Sequence, residues 1–198
     1  MLKKLLTASF VLIFTAATVF AAVINYGIDT AHSTVGFTVP ILGGLSKVTG
    51  KFTDFTIQIA YDEADITKSS VTATIKAASI NTGITRRDDH LRTADFFDVE
   101  KYPEITFKSK RIEKDGDRLV AVGDLSMHGV TKEVSLPFSI SGVSKDPSGQ
   151  TTLGFSARMP LNRHDYGISY KRRDNPNFIG DNIVIEIDLI TRTERKKE

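Results

Sequence analysis

The stretch Ile183-Val184-Ile185-Glu186-Ile187-Asp188-Leu189 decides the fold class of this chain of 198 residues. Its large apolar side chains recur at every second position, and Glu186 and Asp188 occupy the other face. Successive side chains of a β-strand point to opposite sides of the sheet, so a period of two is typical of a strand with one buried face. This stretch therefore predicts a long, half-buried strand.

The same alternation recurs along the chain, with turn-forming residues between the runs. Such runs begin near Val35, Ile57, Val71, Ile105 and Leu136. Asp115-Gly116-Asp117 and Asp146-Pro147-Ser148-Gly149 are typical turn sequences between them. The pattern predicts about eight or nine strands in an antiparallel, up-and-down sheet. Such strands stack as two sheets or close into a barrel, and alternation alone leaves both open.

Residues 1–21 have the pattern of a signal peptide. Lys3 and Lys4 precede an apolar run, and Val19-Phe20-Ala21 resembles a cleavage site. The apolar run is short and interrupted by hydroxyl residues, which disfavours an uncleaved membrane anchor. We expect cleavage near Ala22, a periplasmic location and a single domain over residues 22–198.

Composition excludes several classes of function. The chain has no cysteine, so thiol chemistry, thiolate metal sites and haem attachment through Cys are excluded. Two of the 26 basic side chains are Lys3 and Lys4, and residues 1–21 contain no Asp or Glu. The remainder therefore carries 24 basic and 24 acidic side chains. A balance of this kind argues against nucleic acid as a partner.

The segment Arg86-Arg87-Asp88-Asp89-His90-Leu91-Arg92-Thr93-Ala94-Asp95-Phe96-Phe97-Asp98-Val99 combines dense charge with two adjacent aromatic residues. Aromatic side chains favour burial, whereas charges require water or fixed partners. The segment is predicted to be helical from Arg86 to Phe97, since it lacks Gly and Pro and follows the break at Asn81-Thr82-Gly83. We expect it to lie across an opening, with Phe96 and Phe97 directed inward.

This segment, together with Tyr26-Gly27-Ile28-Asp29-Thr30-Ala31-His32-Ser33 and Met127-His128-Gly129-Val130-Thr131, resembles the YceI-like family of periplasmic, lipocalin-like, polyisoprenoid-binding proteins. Val35–Val39 and Ser46–Phe52 match as well, so the resemblance covers nearly all of the chain after residue 22. It implies a closed, lipocalin-like barrel with an elongated cavity. The chain departs from the family pattern at Pro40-Ile41-Leu42, where many members carry a His.

Alternation assigns a set of large apolar residues to the inward face of such a barrel. On this face a core residue and a cavity-lining residue occupy the same kind of position, and the resemblance favours a ligand cavity. The predicted cavity residues are Phe37, Val39, Phe52, Ile57, Val71, Ile75, Phe107, Val122, Leu136, Phe138 and Phe155.

Basic residues of the charged segment suit the recognition of a polar head group, because the Arg side chain offers a planar fork for phosphate or carboxylate. The predicted head-group residues at the barrel mouth are His32, Arg86, Arg87, His90 and Arg92. The alternative is an internal ion-pair network with the interleaved acidic residues, and Arg92 is expected to belong to that network.

The sequence offers little support for catalysis. The four His residues lack metal-ligand spacing, there is no Gly-x-Ser-x-Gly motif, and no phosphate-binding loop is present. We therefore expect no metal, no cofactor and no enzymatic activity. The resemblance implies a protein that binds an isoprenoid lipid of polyprenyl or quinone type and carries or stores it. Transient contact with the membrane surface is a further expectation.

Two alternatives from other classes remain open at this point. One is an enzyme that acts on a lipid or quinone at the barrel mouth through His32 or His90 as acid or base. The other is a barrel with a filled interior that acts through its surface, as a stress or interaction protein.

Overall fold

The computed structural model describes residues 23–116, 118–147 and 150–193. Within these ranges the chain forms eleven strands and one α-helix. The strands are β1 Ile24–Ile28, β2 Thr34–Ile41, β3 Ser46–Phe52, β4 Phe55–Tyr61, β5 Ser70–Lys76, β6 Ile80–Asn81, β7 Glu104–Asp115, β8 Arg118–Met127, β9 Val130–Lys145, β10 Thr151–Asn162 and β11 Asn182–Thr193. The helix is α1 Thr85–Arg92. The predicted signal peptide lies outside the described residues.

Eight strands close into an antiparallel barrel in the order β1-β4-β5-β7-β8-β9-β10-β11, with β11 paired back to β1. The alternating stretch that begins at Ile183 is the centre of β11, and it pairs with β10 from Gly154 to Asn162. Closure pairs the strand edges that an open sheet would expose. The predicted all-β, closed, lipocalin-like barrel is therefore confirmed.

A long hairpin extends the barrel at one end. Strand β11 pairs with β1 near Thr191 and with β2 over Val184–Asp188, so β1 and β2 follow one another along the same neighbour. Strand β3 pairs with β2, and the short β6 pairs with the last residues of β3. We call the end of the barrel that α1 covers the helix end, and the opposite end the far end.

Helix α1 is shorter than the sequence predicted. It ends at Arg92, because Thr93 is extended and its hydroxyl donates to the carbonyl of His90 at 2.8 Å. The chain then turns, and Phe97 donates from its backbone N–H to the carbonyl of Leu91 at 3.1 Å. Near the start of the helix the buried carboxylate of Asp88 accepts from the backbone N–H and hydroxyl of Thr82. A carboxylate near a helix N-terminus also interacts favourably with the helix dipole.

The long connection between β10 and β11 also lies at the helix end. It begins with a 3-10 turn at Arg163–Tyr166 and returns to β2 through a bridge between Ile41 and Ile179. Although it forms no long strand or α-helix, this connection follows a defined path. Helix α1 and this connection together cover the same end of the barrel.

Candidate functional site

An elongated apolar cavity of about 720 Å³ runs through the barrel. Its wall is built from the inward-facing side chains of the ring strands and of the β2–β3 hairpin. At the far end it reaches Ile66, Ser69 and Ser70, and at the helix end it reaches α1 and the β10–β11 connection. Because a single layer of alternating strands supplies this wall, the period of two in the sequence becomes a continuous apolar surface around one space.

The predicted cavity residues line this space, with one exception. Those that line it are Phe37, Val39, Phe52, Ile57, Val71, Ile75, Phe107, Leu136, Phe138 and Phe155. Phe37 is directly opposite Gly50 on β3, where a side chain would collide with the Phe37 ring. Glycine at this position therefore leaves room for the ring. The role of these residues in ligand binding stays a prediction.

Val122 is the exception. It is 3% exposed but does not line the cavity, whereas its neighbour Ala121 does. Ala121 pairs with Ile112 and Leu136, which also line the cavity, so Val122 points to the other face of β8. The run Val120-Ala121-Val122 is apolar throughout, and alternation could not identify its inward member. The prediction that Val122 faces the cavity is therefore wrong, and Ala121 is the residue of this run that lines it.

Aromatic side chains close the cavity under α1. Phe96 is 8% exposed, and its ring centroid lies 4.9 Å from that of Tyr170 on the β10–β11 connection. The Phe97 ring lies edge-on to that of Phe52 at 5.9 Å. Both Phe96 and Phe97 line the cavity, as expected for a segment that lies across an opening. The contact with Tyr170 joins the two segments that cover the helix end.

Basic side chains line the cavity at the helix end. Arg86 is exposed and makes no hydrogen bond or ion pair within the described residues. Arg87 is held by the hydroxyl and the carbonyl of Thr82, at 2.7 and 2.9 Å. His90 lies with Nε2 2.8 Å from the carboxylate of Asp95, and its ring packs edge-on against Phe96. Arg86 is therefore the basic side chain of α1 best placed to meet a ligand.

The other two predicted head-group residues do not line the cavity. His32 lies in the turn between β1 and β2, where its Nδ1 is 2.9 Å from Asp29 and its side chain is 69% exposed. This hydrogen bond from His32 is the main reason that the pKa of Asp29 is lowered. Arg92 faces away from the cavity and donates to the carbonyls of Ala78 and Ile80. Both side chains are instead engaged by other parts of the protein.

Two basic residues that the sequence did not identify as candidates also line the helix end of the cavity. Arg172 lies 4.4 Å from the ring centroid of Phe178 and is paired with Asp174. Arg163 is almost fully buried and donates to the carbonyls of Ile168, Tyr170 and Gly180 and to the carboxylate of Asp181. Charge density in residues 158–174 was the available signal, but it did not separate buried from solvated residues.

His128 lies in the turn between β8 and β9 and is half-buried. Its Nδ1 lies 2.9 Å from the carbonyl of Tyr166, and its ring packs against Tyr102 at 4.8 Å. This contact fixes the β8–β9 hairpin against the β10–β11 connection. Among the described residues, no cluster of three or more metal-ligating side chains was found. In the same part of the chain no helix is long and apolar enough to span a membrane.

A closed antiparallel barrel around an apolar cavity defines a lipocalin-like protein. The chain belongs to the YceI-like family, whose domain model matches residues 26–191. It is 38% identical over 193 residues to UPF0312 protein plu2095 of Photorhabdus laumondii, covering 95% of this chain and 97% of the relative. It is 40% identical over 171 residues to Protein YceI of Escherichia coli, covering 85% and 88%.

Solved structures have the same fold. The YCEI protein of Campylobacter jejuni superposes with a TM-score of 0.69 at 33% identity, covering 76% of this chain and 88% of that chain. A polyisoprenoid binding domain from Saccharophagus degradans, implicated in plant cell wall breakdown, superposes with a TM-score of 0.64 at 15% identity, covering 86% and 99%. At that identity the second likeness concerns the fold alone.

Proposed function

We propose that this protein binds a long-chain isoprenoid lipid, of polyprenyl or isoprenoid quinone type, in the barrel cavity and carries or stores it in the periplasm. The observation that carries the proposal is the continuous apolar cavity of about 720 Å³ with basic side chains at one end. This volume is within the range of roughly 300–1,000 Å³ that is typical of small-molecule sites. The polyisoprenoid binding domain among the structural neighbours supports the choice of ligand class.

Burial energetics favour reversible carriage. Transfer of a lipid from water into the cavity is driven by roughly 0.8 kcal/mol for each CH₂ group. The same chain is already buried when it lies in a bilayer, so most of this free energy is absent when the lipid moves from membrane to barrel. The cavity therefore needs only to solvate the lipid tail about as well as the bilayer does. Specificity is then determined by contacts with the polar head and by the length of the cavity.

The helix end is the part of the cavity suited to a polar head. Arg86 has no hydrogen-bond or ion-pair partner among the residues that the structure describes, and Arg87, His90 and Arg172 line the same end. An anionic or hydrogen-bond-accepting head would be stabilised here by charge-assisted hydrogen bonds, while the isoprenoid tail follows the apolar wall. We propose that the ligand is oriented with its head at the helix end.

The geometry does not support an enzyme that uses His32 as acid or base at the cavity, because His32 does not line it. His90 keeps a geometry that suits an acid or base, with Asp95 as its hydrogen-bond partner. Turnover of a quinone or prenyl phosphate that is abolished in a folded His90→Gln variant would favour the enzyme over the carrier.

The test of the proposed function is solvent extraction of the purified protein followed by mass spectrometry. We expect an isoprenoid lipid at a substantial fraction of one equivalent, and uptake of a polyprenol from vesicles by protein stripped of its lipid. Protein that holds no isoprenoid after purification and takes none up from vesicles would contradict the proposal and favour a protein that acts through its surface.

The proposed location rests on residues 1–21. If they form a cleaved signal peptide, N-terminal sequencing of protein from the periplasmic fraction should begin near Ala22. An intact Met1 in that fraction, or retention of the protein in the cytoplasm, would contradict the location without affecting the proposed ligand.

A further inference from the structure

Two leucines are exposed at the turn between β2 and β3, which we call the apolar tip (Leu42–Leu45). The side chains of Leu42 and Leu45 are 43% and 88% exposed, and Ile84 before α1 is 53% exposed. Single large apolar side chains are often exposed on protein surfaces. Two of them in one hairpin turn form a local apolar protrusion. They are available for contact with another apolar phase.

The backbone of the apolar tip holds the leucines in this arrangement. Leu42 has a φ of 53°, followed by Gly43 at 65° and Gly44 at 93°. A positive φ is unfavourable for a residue with a bulky side chain such as Leu. A strained residue of this kind, where the turn itself does not require leucine, suggests a functional role for the side chain. Gly and Asn adopt this conformation more easily, so leucine at position 42 is not explained by the turn itself.

The apolar tip is fixed next to the helix end of the cavity. The backbone N–H of Leu42 donates to the carbonyl of Phe178 at 2.8 Å, and that of Gly180 donates to the carbonyl of Pro40 at 2.8 Å. Ile41 and Phe178, which adjoin these bonds, line the cavity. A surface that contacts the apolar tip therefore lies beside the helix end of the cavity.

Exposed basic side chains lie on two segments next to the apolar tip. Lys171 and Arg173 flank Arg172 on the β10–β11 connection, which we call the basic loop (residues 171–173), and Lys47 follows the tip on β3. Lys47, Lys171 and Arg173 are exposed and make no ion pair within the described residues. The acidic groups of this connection are already engaged, Asp174 by Arg172 and Asp181 by Arg163. The β10–β11 connection and the start of β3 therefore carry exposed cations without an ion-pair partner among the described residues, although Lys171 also acts on the carboxylate of Asp181 at longer range.

We propose that the apolar tip and the basic loop form a docking face for an anionic lipid bilayer, with the leucines inserted among the acyl chains and the cations at the head groups. The combination of an apolar protrusion with exposed cations beside it matches the chemistry of an anionic membrane surface. A stable protein partner would instead require a broad complementary surface. Docking would place the helix end of the cavity against the membrane. Its use for lipid exchange rests on the proposed function.

Vesicle flotation of the exported protein tests the proposal. Wild type should float with vesicles of phosphatidylcholine and phosphatidylglycerol, and binding should fall with added salt because screening weakens the charge term. Leu42→Asn with Leu45→Ser should lower partitioning at least about tenfold, since apolar burial is lost. Lys171→Glu with Arg173→Glu should lower it by about 25-fold, because each cation near an anionic surface contributes roughly a factor of five.

Matched controls lie on other parts of the barrel. Val143→Ser removes an apolar side chain of β9 at a residue that is 62% exposed, and Lys114→Glu reverses the charge of an exposed cation on β7. Both controls should bind vesicles as wild type does. All variants must have the same N-terminal residue by sequencing and the wild-type melting temperature, so that neither an apolar leader nor misfolding accounts for a difference.

Equal binding by wild type and both double variants would overturn the proposal, as would failure of wild type to bind anionic vesicles. Equal losses in the controls would identify unspecific adsorption and also overturn it. A wild-type dimer that dissociates in the Leu42→Asn, Leu45→Ser variant, without vesicle binding, would assign the face to a second copy instead. Extraction and mass spectrometry of the same variants separates the two proposals, because docking can fail while the cavity still holds lipid.

Discussion

The guanidinium of Arg92 donates through Nη2 to the carbonyl of Ile80 at 2.9 Å and thereby ties α1 to the edge strand β6. The same side chain donates to the carbonyl of Ala78 and pairs with Asp89. Ile80 is fully buried, so its carbonyl has no water to replace this donor. Arg92 is thus a structural residue of the segment in which the sequence placed a head-group site.

Arg92→Ala should therefore lower the free energy of unfolding by about 1–2 kcal/mol, because a buried carbonyl loses its donor. The lipid content of the remaining folded protein should be unchanged. Thermal unfolding and extraction with mass spectrometry measure the two quantities. Arg86→Ala is the matched control for unfolding, since Arg86 makes no hydrogen bond or ion pair in the part of the chain that the structure describes. Loss of lipid from folded Arg92→Ala would contradict a purely structural role.

Arg163→Met should be more destabilising, by about 2–3 kcal/mol, since several carbonyls around a nearly fully buried side chain lose their donor together. Arg158→Met is the control. Arg158 is 71% exposed and pairs with Glu186, so its loss should cost less than about 1 kcal/mol. Chemical denaturation of both variants makes the comparison, and equal destabilisation would argue against Arg163 as the organiser of the β10–β11 connection.

Filling the cavity should displace its ligand. Ile75→Trp places a larger side chain into the wall, so lipid content should fall several-fold with little change in folding. Thr72→Trp adds the same ring to the exposed face of β5 and should keep wild-type lipid content. Mass spectrometry of both folded variants gives the result, and equal lipid content would count against a ligand in this cavity.

Arg86 should distinguish charged from neutral heads. Arg86→Ala should weaken binding of farnesyl diphosphate about tenfold, because a charge-assisted hydrogen bond is lost, and leave farnesol binding unchanged. Fluorescence or calorimetric titration measures both ligands. Lys114→Ala removes an exposed cation of β7 far along the strand and serves as the control. An equal loss for both ligands would show that Arg86 acts on the tail or on the fold.

The pKa of Asp181 is lowered, first by the hydrogen bond from His164 and further by the charges of His164, Arg163 and Lys171. A lowered pKa means that folding favours the carboxylate, so its stabilising effect is present above the ordinary value of 3.8 and is lost as the pH falls through the lowered value. The difference in melting temperature between wild type and Asp181→Asn should therefore be full near neutral pH and shrink below the ordinary value. A difference that persists unchanged in strong acid would contradict this assignment.

The side-chain pattern by itself determined the β-structure of this protein. The alternation at Ile183–Leu189 requires a strand with two unlike faces, whatever its partners, since the period of two is a local property of extended backbone. The same rule placed Phe107 and Phe138 on the cavity side. It failed at Val122, because three adjacent apolar residues have no period and the register to β7 and β9 decides which of them points inward.

Tertiary structure alone decided which charged residues are structural and which are free. Arg86 and Arg92 belong to the same charged segment, yet one is unpartnered at the cavity and the other is bonded to β6. Their difference depends on which carbonyls of distant strands come within hydrogen-bond distance, and that is fixed only when the barrel closes. The burial of Arg163 has the same origin, because its carbonyl partners lie on a connection whose path no local pattern specifies.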